Sequence, residues 1–223
     1  MTETNFTPAL GHAALTPLYD FAIRLLTRER RWRDKLIEQV SPHDGESILD
    51  VGCGTGTLAI EIKQRMPGVR VVGMDPDPQI LQRARFKARA TGLDIEWRRG
   101  FAHDAADFTG EFDKAVSSLV FHQVPVKEKY AGLAAMWASV REGGEVHIAD
   151  YCRQPDWPMR QLFRIIQVLD GPTNTQANAD GAIEKFLSEL GGSATVPCNV
   201  VRTPTGAISL LKLSKPQKGL RIV

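Results

Sequence analysis

The sequence predicts an α/β fold built around a mostly parallel sheet. Short apolar runs of strand length alternate with amphipathic helical stretches between residues 47 and 150, which is the pattern of successive β-α-β units. A glycine-rich turn follows the first apolar run, and two extended segments joined by a short turn lie near the end of the chain. The crossovers between parallel strands are expected to be right-handed.

Each element has its own signal in the sequence. A helix is predicted over residues 15–40, because apolar residues recur at helical spacing and Thr16-Pro17 suits a first helical turn. Apolar runs bounded by glycine, proline or polar residues predict parallel strands at 47–51, 69–74, 93–98, 112–119 and 145–150. Helical spacing between these runs predicts helices at 57–66, 78–91 and 125–141.

The pattern changes after Asp150. Helices are predicted at 157–170 and 182–190, on either side of a polar segment at 172–181. Extended segments at 195–202 and 206–213 are close enough in sequence to form an antiparallel hairpin. We therefore predict one domain over residues 1–223. It comprises a helical cap at 1–45, a ligand-binding core at 46–151, a helical insert at 152–192 with a mobile lid at 171–181, and a hairpin and tail at 193–223.

Length and composition are those of an ordinary globular protein. The chain has 223 residues, 43% hydrophobic and 24% charged side chains, and a formal net charge of +2. A chain of this size buries about 70% of its unfolded surface, so its core needs neither disulfides nor a metal. The small net charge argues against a nucleic-acid partner. The three cysteines lack the paired spacing of a zinc site or a disulfide framework.

The chain shows no signal for membrane insertion. It has no apolar run of 18 residues, and its first residues lack the basic and apolar regions of a signal peptide. We therefore expect a cytoplasmic protein with no stable membrane insertion and no nucleic-acid partner, either a monomer or a dimer.

The glycine-rich turn after the first strand indicates a ligand site. Residues 48–56 read ILDVGCGTG, and alternating glycines let the backbone turn sharply and approach a ligand closely. The spacing is not that of a dinucleotide fingerprint, since residue 57 is threonine, nor that of a P-loop, since no lysine follows Gly56. The alternative is a tight turn between strand and helix that binds nothing.

An acidic residue at the end of the second strand supports the ligand interpretation. Asp75 follows a predicted strand and is placed to accept hydrogen bonds from ribose hydroxyls, as in nucleoside-binding α/β folds. The alternative is a helix N-cap, since Asp75 and Asp77 both precede a predicted helix.

In these residues the chain resembles the class I S-adenosylmethionine-dependent methyltransferases. Residues 49–56 look like the first motif of that family, and Asp75 matches its ribose-binding acid. Residues 141–144 (REGG) resemble the turn before its fifth strand, and residues 112–118 resemble its fourth-strand motif. Tyr19-Asp20 and Arg31-Trp32-Arg33 look closer still to small enzymes of the ubiquinone/menaquinone-biosynthesis type.

This resemblance implies a fold, a cofactor and a set of contacts. The fold is a Rossmann-like sheet of seven strands in the order 3-2-1-4-5-7-6, with the last strand antiparallel. The cofactor is S-adenosyl-L-methionine. The matching positions expected to contact it are Tyr19, Asp50, Gly52, Cys53, Gly54, Gly56, Asp75, Pro76, Phe101, Ala102 and Ser118.

One of these positions departs from the family's pattern. The loop after the third strand commonly reads G-D-A, with the acid on the adenine amino group, whereas this chain has Phe101 between Gly100 and Ala102. The adenine contact is then expected from the backbone N–H of Ala102, or from His103 or Asp104.

The resemblance also implies an enzyme that methylates a small molecule. The chain lacks the Asn/Asp-Pro-Pro-Tyr motif of amino-group methyltransferases and an obvious acidic cluster for Mg²⁺, so we expect chemistry without a metal. His122 follows the fourth strand and is the candidate general base, because an unperturbed histidine has a pKa near 6.5. The alternative is a histidine that caps a helix or packs against the adenine.

Other functions compatible with the same motifs remain open. These are a protein methyltransferase, a non-catalytic protein that binds S-adenosylmethionine, and an NAD-dependent oxidoreductase, against which the glycine spacing argues. The methylated atom, whether oxygen, nitrogen, carbon or sulfur, also remains open.

A basic stretch lies in the first predicted helix. Residues 24–35 contain six basic and two acidic side chains. Such an excess is typical of a solvated helix face, and the alternative is a surface that attracts an anionic ligand or membrane.

Overall fold

A seven-stranded sheet organises the molecule. The computed structural model describes residues 27–217, so Tyr19 and the predicted start of the first helix lie outside the described part. The strands follow the order β3-β2-β1-β4-β5-β7-β6. They are β1 (Ser47–Val51), β2 (Arg70–Asp75), β3 (Glu96–Arg99), β4 (Phe112–Ser118), β5 (Val140–Tyr151), β6 (Asn199–Thr203) and β7 (Gly206–Ser214).

Helices cover both faces of this sheet. They are α1 (Glu29–Val40), α2 (Thr57–Arg65), α3 (Pro78–Ala90), α4 (Val126–Ser139), α5 (Trp157–Asp170), α6 (Pro172–Ala179) and α7 (Ala182–Gly191). Two short 3₁₀ segments, Ala102–Phe108 and Phe121–Gln123, follow β3 and β4. One apolar layer joins the sheet to α1, α2 and α5, and the other joins it to α4 and α7. Within residues 27–217 no helix has the length and apolar character needed to cross a bilayer.

Strand direction decides where the site lies. Strands β1 to β5 pair in parallel, and β7 pairs antiparallel with both β5 and β6. The strand order and the antiparallel last strand confirm the prediction. The carboxyl ends of β1 to β6 therefore share one edge, which is where ligands bind in open α/β sheets.

Three strand starts differ from the sequence-based prediction by three residues or more, and that of β6 lies at Asn199 rather than at residue 195. β5 begins at Val140 rather than at residue 145, because Val140 pairs with Phe112 before the register shifts. Residues 141–144 are charged or glycine and therefore resemble a turn in the sequence, because the pairing of Val140 with Phe112 cannot be seen there. β3 begins at Glu96 rather than at residue 93.

The polar segment 172–181 contains helix α6. Its Thr175, Asn178 and Ala179 are buried, so tertiary contacts support a helix that the polar composition did not indicate. The mobility of a lid at 171–181 remains a prediction, as does the division of residues 1–223 into cap, core, insert and tail.

Candidate active site

The glycine turn after β1 contains three residues in left-handed conformation. Gly52, Gly54 and Gly56 have φ of 70°, 53° and 73°, values that glycine adopts at little cost. A Cβ on Gly52 would lie 2.3 Å from a methyl carbon of Val120, and one on Gly56 would lie 2.3 Å from the ring of Trp97. A Cβ on Gly54 would meet nothing within 4 Å. Packing thus requires glycine at the outer two positions, whereas Gly54 borders free space.

Cys53 contributes its backbone to this turn. The N–H groups of Gly52 and Cys53 both donate to the carbonyl of Met74, at 2.8 and 3.0 Å. The Cys53 side chain is buried toward β2, since a Cβ on Gly73 would lie 3.1 Å from its Sγ. Burial raises the pKa of the Cys53 thiol, so this residue is a packing group and not a reactive thiolate.

Asp75 ties the glycine turn to the end of β2. Its Oδ2 accepts a hydrogen bond from the Gly54 N–H at 3.0 Å, and its Oδ1 accepts one from the Asp77 N–H at 3.0 Å. Burial raises the pKa of Asp75 above its usual range. The N-cap of α3 is Asp77. Its Oδ1 accepts hydrogen bonds from the backbone N–H groups of Gln79 at 2.8 Å and Ile80 at 3.3 Å. Each Asp75 oxygen keeps a lone pair that a ribose hydroxyl can use.

Asp50 is a buried carboxylate with weak compensation, since only the backbone N–H of Ala59 and the charge of Arg33 act to lower its pKa. It is fully buried in β1, and neither carboxylate oxygen has a hydrogen-bond partner among the described residues. Burial, together with the negative charge of Asp75, raises the pKa of Asp50 to about 7. A buried charge that its surroundings compensate incompletely is costly, so the site suits a positively charged ligand. S-adenosylmethionine carries two positive charges, a sulfonium and an ammonium, so it is a suitable ligand for a site with this buried carboxylate.

The loop after β3 is organised by its own side chains. The Phe101 N–H donates to Asp104 Oδ2 at 2.8 Å, and the Phe101 ring stacks on the His103 imidazole with 5.6 Å between centroids. His103 Nδ1 lies 3.1 Å from Glu128 Oε2. Asp104 thus caps its own turn and His103 pairs with α4, which leaves the backbone N–H of Ala102 as the simplest adenine contact.

Two further predicted contact residues flank this region. Pro76 is half-buried directly after β2, and its carbonyl accepts from Arg99 Nε at 3.3 Å. Ser118 is half-buried and ends β4, where it pairs with Ala149. Both lie at the carboxyl edge of the sheet, as the resemblance implied.

Asp150 orders the loop that follows β4. This buried carboxylate accepts the N–H groups of Val120 and Phe121 at 3.1 and 2.7 Å. Its other oxygen faces His122 Nδ1 at 2.7 Å and accepts the N–H of Tyr151 at 2.7 Å. A fully hydrogen-bonded buried carboxylate fixes the groups around it.

Lys129 holds the same loop from the other side. Its buried ammonium donates to the carbonyls of Phe121, His122 and Val124, the last two at 3.3 and 2.5 Å. Burial lowers the pKa of Lys129 to about 8. The loop is thus held through its N–H groups by Asp150 and through its carbonyls by Lys129.

His122 lies between two carboxylates. Nδ1 is 2.7 Å from Asp150 Oδ1, and Nε2 is 3.3 Å from Asp170 Oδ2 at the end of α5. Burial lowers the pKa of His122, but the two carboxylates outweigh it and raise the pKa to about 9. The expectation of an unperturbed pKa near 6.5 is therefore wrong. The imidazolium is favoured at neutral pH, with both nitrogens engaged and the ring packed edge-on against Tyr151.

The insert contacts this edge through two more side chains. The Asn174 amide donates to the carbonyl of Gln123 at 2.9 Å, and the Asn178 amide donates to that of Tyr151 at 2.7 Å. Together with the contact of Asp170, these bonds place α5 and α6 over the loop after β4. Within residues 27–217 no group of three or more His, Cys, Asp or Glu side chains is arranged to hold a metal ion.

Sequence reasoning had not identified Asp150, Asp170 and Lys129 as site residues. Asp150 could have been identified as a site residue because it lies near the end of an apolar strand, beside the end of β4. Asp170 and Lys129 lie in ordinary amphipathic helices, and only the tertiary fold brings them to His122.

Comparison with known proteins agrees with this arrangement. Residues 48–144 match the family model described as a methyltransferase domain. The chain is 34% identical to the demethylmenaquinone methyltransferase of Deinococcus radiodurans over 69% of this chain and 64% of that protein. It is 30% identical to the demethylmenaquinone methyltransferase of Thermus thermophilus over 68% of this chain and 69% of that protein.

A solved structure supports the fold. The magnesium protoporphyrin IX methyltransferase of Synechocystis with bound SAH superposes with a TM-score of 0.65 over 93% of this chain and 91% of that chain, at 17% identity. The sequence match to the Thermus thermophilus enzyme extends over about two thirds of each protein. The chain belongs to the class I S-adenosylmethionine-dependent methyltransferases of the ubiquinone/menaquinone-biosynthesis type.

Proposed function

We propose that this chain transfers a methyl group from S-adenosylmethionine to a small-molecule acceptor, without a metal. The observation that carries the proposal is the carboxylate of Asp50, which is buried with its pKa raised to about 7 in the strand that leads into the free space at Gly54. A cationic cofactor would compensate this carboxylate, and Asp75 would accept the ribose hydroxyls. Bound S-adenosylmethionine supplies an electrophilic methyl group on a sulfonium.

The chain's own contribution is positioning. Asp150 and Lys129 hold the loop after β4, while α5 and α6 cover it and exclude water. Good alignment of reacting groups contributes about 7–11 kcal/mol to lowering a barrier. A rigid loop facing the cofactor edge is therefore a sufficient basis for catalysis of methyl transfer.

His122 would take the acceptor's proton after one contact opens. In this proposal an acceptor hydroxyl displaces Asp170 from Nε2, and His122, relieved of one carboxylate, releases its Nε2 proton to solvent more readily. The neutral imidazole then takes the hydroxyl proton at Nε2, while Asp150 keeps Nδ1–H in place. General-base catalysis of this kind contributes roughly 10²–10⁴-fold to the rate.

The names of the relatives suggest the acceptor class. They are called demethylmenaquinone methyltransferases, and a similar protein of Geobacter is called a ubiquinone/menaquinone biosynthesis C-methyltransferase. Methylation of a ring carbon by an electrophile needs an electron-rich ring, so we propose a reduced quinone as the acceptor. Its ring hydroxyl is the group that His122 would deprotonate, and after the methyl group moves from sulfur to the ring carbon, that carbon loses its hydrogen as a proton while the ring oxygen regains one.

An assay with reduced naphthoquinones tests this function. We expect S-adenosylhomocysteine and a C-methylated product to form at equal rates, with no loss of rate in excess EDTA. His122→Ala should lower turnover by at least about tenfold and leave cofactor affinity nearly unchanged. Cofactor binding without transfer to any small acceptor would indicate a non-catalytic or protein-directed role instead.

A further inference from the structure

A cavity lies between α1 and the edge strand β6, three strands away from β4 along the sheet. It has a volume of about 310 Å³ and is lined by four cationic side chains, Arg28, Arg31, Lys35 and Arg202. Residues 199–201 of β6 form the rest of its wall. The proposed function uses none of these residues.

The fold brings the four cations together for simple geometric reasons. Arg28, Arg31 and Lys35 follow each other at intervals of three and four residues, so they share one face of the helical stretch. The opposite face carries Ile37 and Val40, which are buried in the core. The Arg28 guanidinium donates to the carbonyl of Arg202 at 3.2 Å and so links α1 to β6.

Negative charge is scarce around this groove. Arg202 pairs with Asp156 at 2.5 Å, and no acidic side chain lines the cavity in the part of the chain that the structure describes. The two acids nearest on α1 are engaged elsewhere, since Glu29 pairs with Arg33 and Asp34 pairs with Arg65. Glu38, one turn beyond Lys35, is exposed.

We propose that this groove binds a phosphate group, as a site separate from the cofactor. Cations gathered in a concave surface focus the local field and attract anions. Guanidinium groups pair with phosphate oxygens through two parallel hydrogen bonds, and a lysine adds a point charge. The volume is at the small end of ligand pockets, which suits a phosphate or diphosphate.

The phosphate can belong to a soluble compound or to the headgroup of an anionic lipid. Asp156, the partner of Arg202, is the N-cap of α5, and the next residue, Trp157, is 74% exposed. Val168 is 83% exposed on the same face of α5, because eleven residues make about three helical turns. A bilayer surface would contact these apolar side chains beside the groove, whereas a soluble phosphate would not.

The test uses sodium pyrophosphate and lipid vesicles on the full chain saturated with S-adenosylhomocysteine. The groove variant is Arg31→Glu with Lys35→Glu, and its control is Arg83→Glu with Arg89→Glu, an equal charge change on exposed positions of α3. We expect the groove variant to bind pyrophosphate at least about tenfold more weakly than wild type and the control to bind it normally. Both variants should keep their affinity for S-adenosylhomocysteine.

Vesicles distinguish the two sources of phosphate. Binding to phosphatidylglycerol but not to phosphatidylcholine vesicles, lost in the groove variant and weakened by Trp157→Ser, assigns the site to a lipid headgroup. Pyrophosphate binding without vesicle binding assigns it to a soluble phosphate. Equal losses in the groove and control variants, or no wild-type binding to either probe, would overturn the proposal.

Discussion

Asp50 and Asp75 end neighbouring strands, yet their surroundings differ. Asp75 accepts two backbone N–H groups, whereas Asp50 has no hydrogen-bond partner for either oxygen among the described residues. Asp75 is thus part of the structure of the turn, and its role as a ribose acceptor is a proposal. The buried charge of Asp50 destabilises the ligand-free fold, and a cationic ligand would offset that destabilisation.

Asp50→Asn should stabilise the ligand-free protein at alkaline pH. The folded pKa of Asp50, about 7, lies above its ordinary value of 3.8, so its ionisation destabilises the fold increasingly from about pH 4 to pH 7 and then constantly. The expected gain at pH 8 is on the order of 1–3 kcal/mol, shrinking toward pH 4. Thermal melts at both pH values measure it. Binding of S-adenosylmethionine should weaken in the same variant, and an unchanged melting temperature at pH 8 would contradict this view of Asp50.

Asp75→Ala should weaken S-adenosylmethionine binding by about 1.5–3 kcal/mol, because charge-assisted hydrogen bonds to the ribose are lost. Asp77→Ala is the matched control, since Asp77 only caps α3. The control should cost about 1 kcal/mol of stability and leave binding unchanged. Isothermal titration calorimetry measures the S-adenosylmethionine affinity of both variants. Equal affinities in wild type and Asp75→Ala would remove Asp75 from the site.

At the scale of elements, the glycine turn combines packing and ligand access. Gly52 and Gly56 face Val120 and Trp97, whereas Gly54 faces free space. The loop after β4 is the second element of the site, held by Asp150 and Lys129. Each element is rigid for reasons visible in its hydrogen bonds, and each faces the same edge of the sheet.

Gly54→Val should abolish S-adenosylmethionine binding, because the side chain would enter the space beside the turn. Gly110→Val is the control for backbone strain. Gly110 also has a positive φ, 70° compared with 53° for Gly54, and a Cβ added there would also meet nothing within 4 Å. Both variants should lose stability by roughly 1–3 kcal/mol. Only Gly54→Val should lose binding in calorimetry. Normal binding by a folded Gly54→Val protein would show that the cofactor lies elsewhere.

The contact between α5 and His122 should respond to pH. Asp150 first and Asp170 second raise the pKa of His122 from 6.5 to about 9, so the charged imidazole stabilises the fold fully below pH 6.5 and stops doing so as pH rises through 9. Asp170→Asn removes one carboxylate, so the His122 pKa should fall and the acidic limb of the turnover profile should move to lower pH. NMR titration of the imidazole measures the pKa directly.

Asp156→Asn is the control for this change, because Asp156 lies at the other end of α5 and pairs with Arg202. The Asp156→Asn change should leave the pKa of His122 unchanged. If Asp170→Asn leaves both the pKa and the turnover profile unchanged, the contact has no part in proton transfer.

At the scale of the whole molecule, strand direction gathers the site. Five parallel strands bring the glycine turn, Asp75, the loop after β4 and Tyr151 to one edge, while the hairpin of β6 and β7 extends the sheet beside the insert. The groove at α1 and β6 lies at the far end of the sheet from β3, so a phosphate site there would leave the cofactor site unobstructed.

Sequence patterns predicted the alternating strands and helices and the glycine turn because these depend on local signals, whereas the strand order was implied by the family resemblance. Apolar runs, glycine spacing and the acid after β2 are all read within a few residues. The contacts of His122 were not predicted, because Asp150 and Asp170 reach it from different elements. Helix α6 and the early start of β5 were missed for the same reason, since burial of Thr175 and pairing of Val140 depend on distant residues.

Calorimetric titration of the wild-type chain with S-adenosylhomocysteine and with NAD tests the central claim, that the turn between β1 and α2 holds a methyltransferase cofactor. The account predicts saturable binding of S-adenosylhomocysteine at one site per chain and no heat from NAD. It also predicts that Asp75→Ala weakens that binding while Asp77→Ala does not. Binding of NAD in place of S-adenosylhomocysteine, or no binding of either, would contradict it.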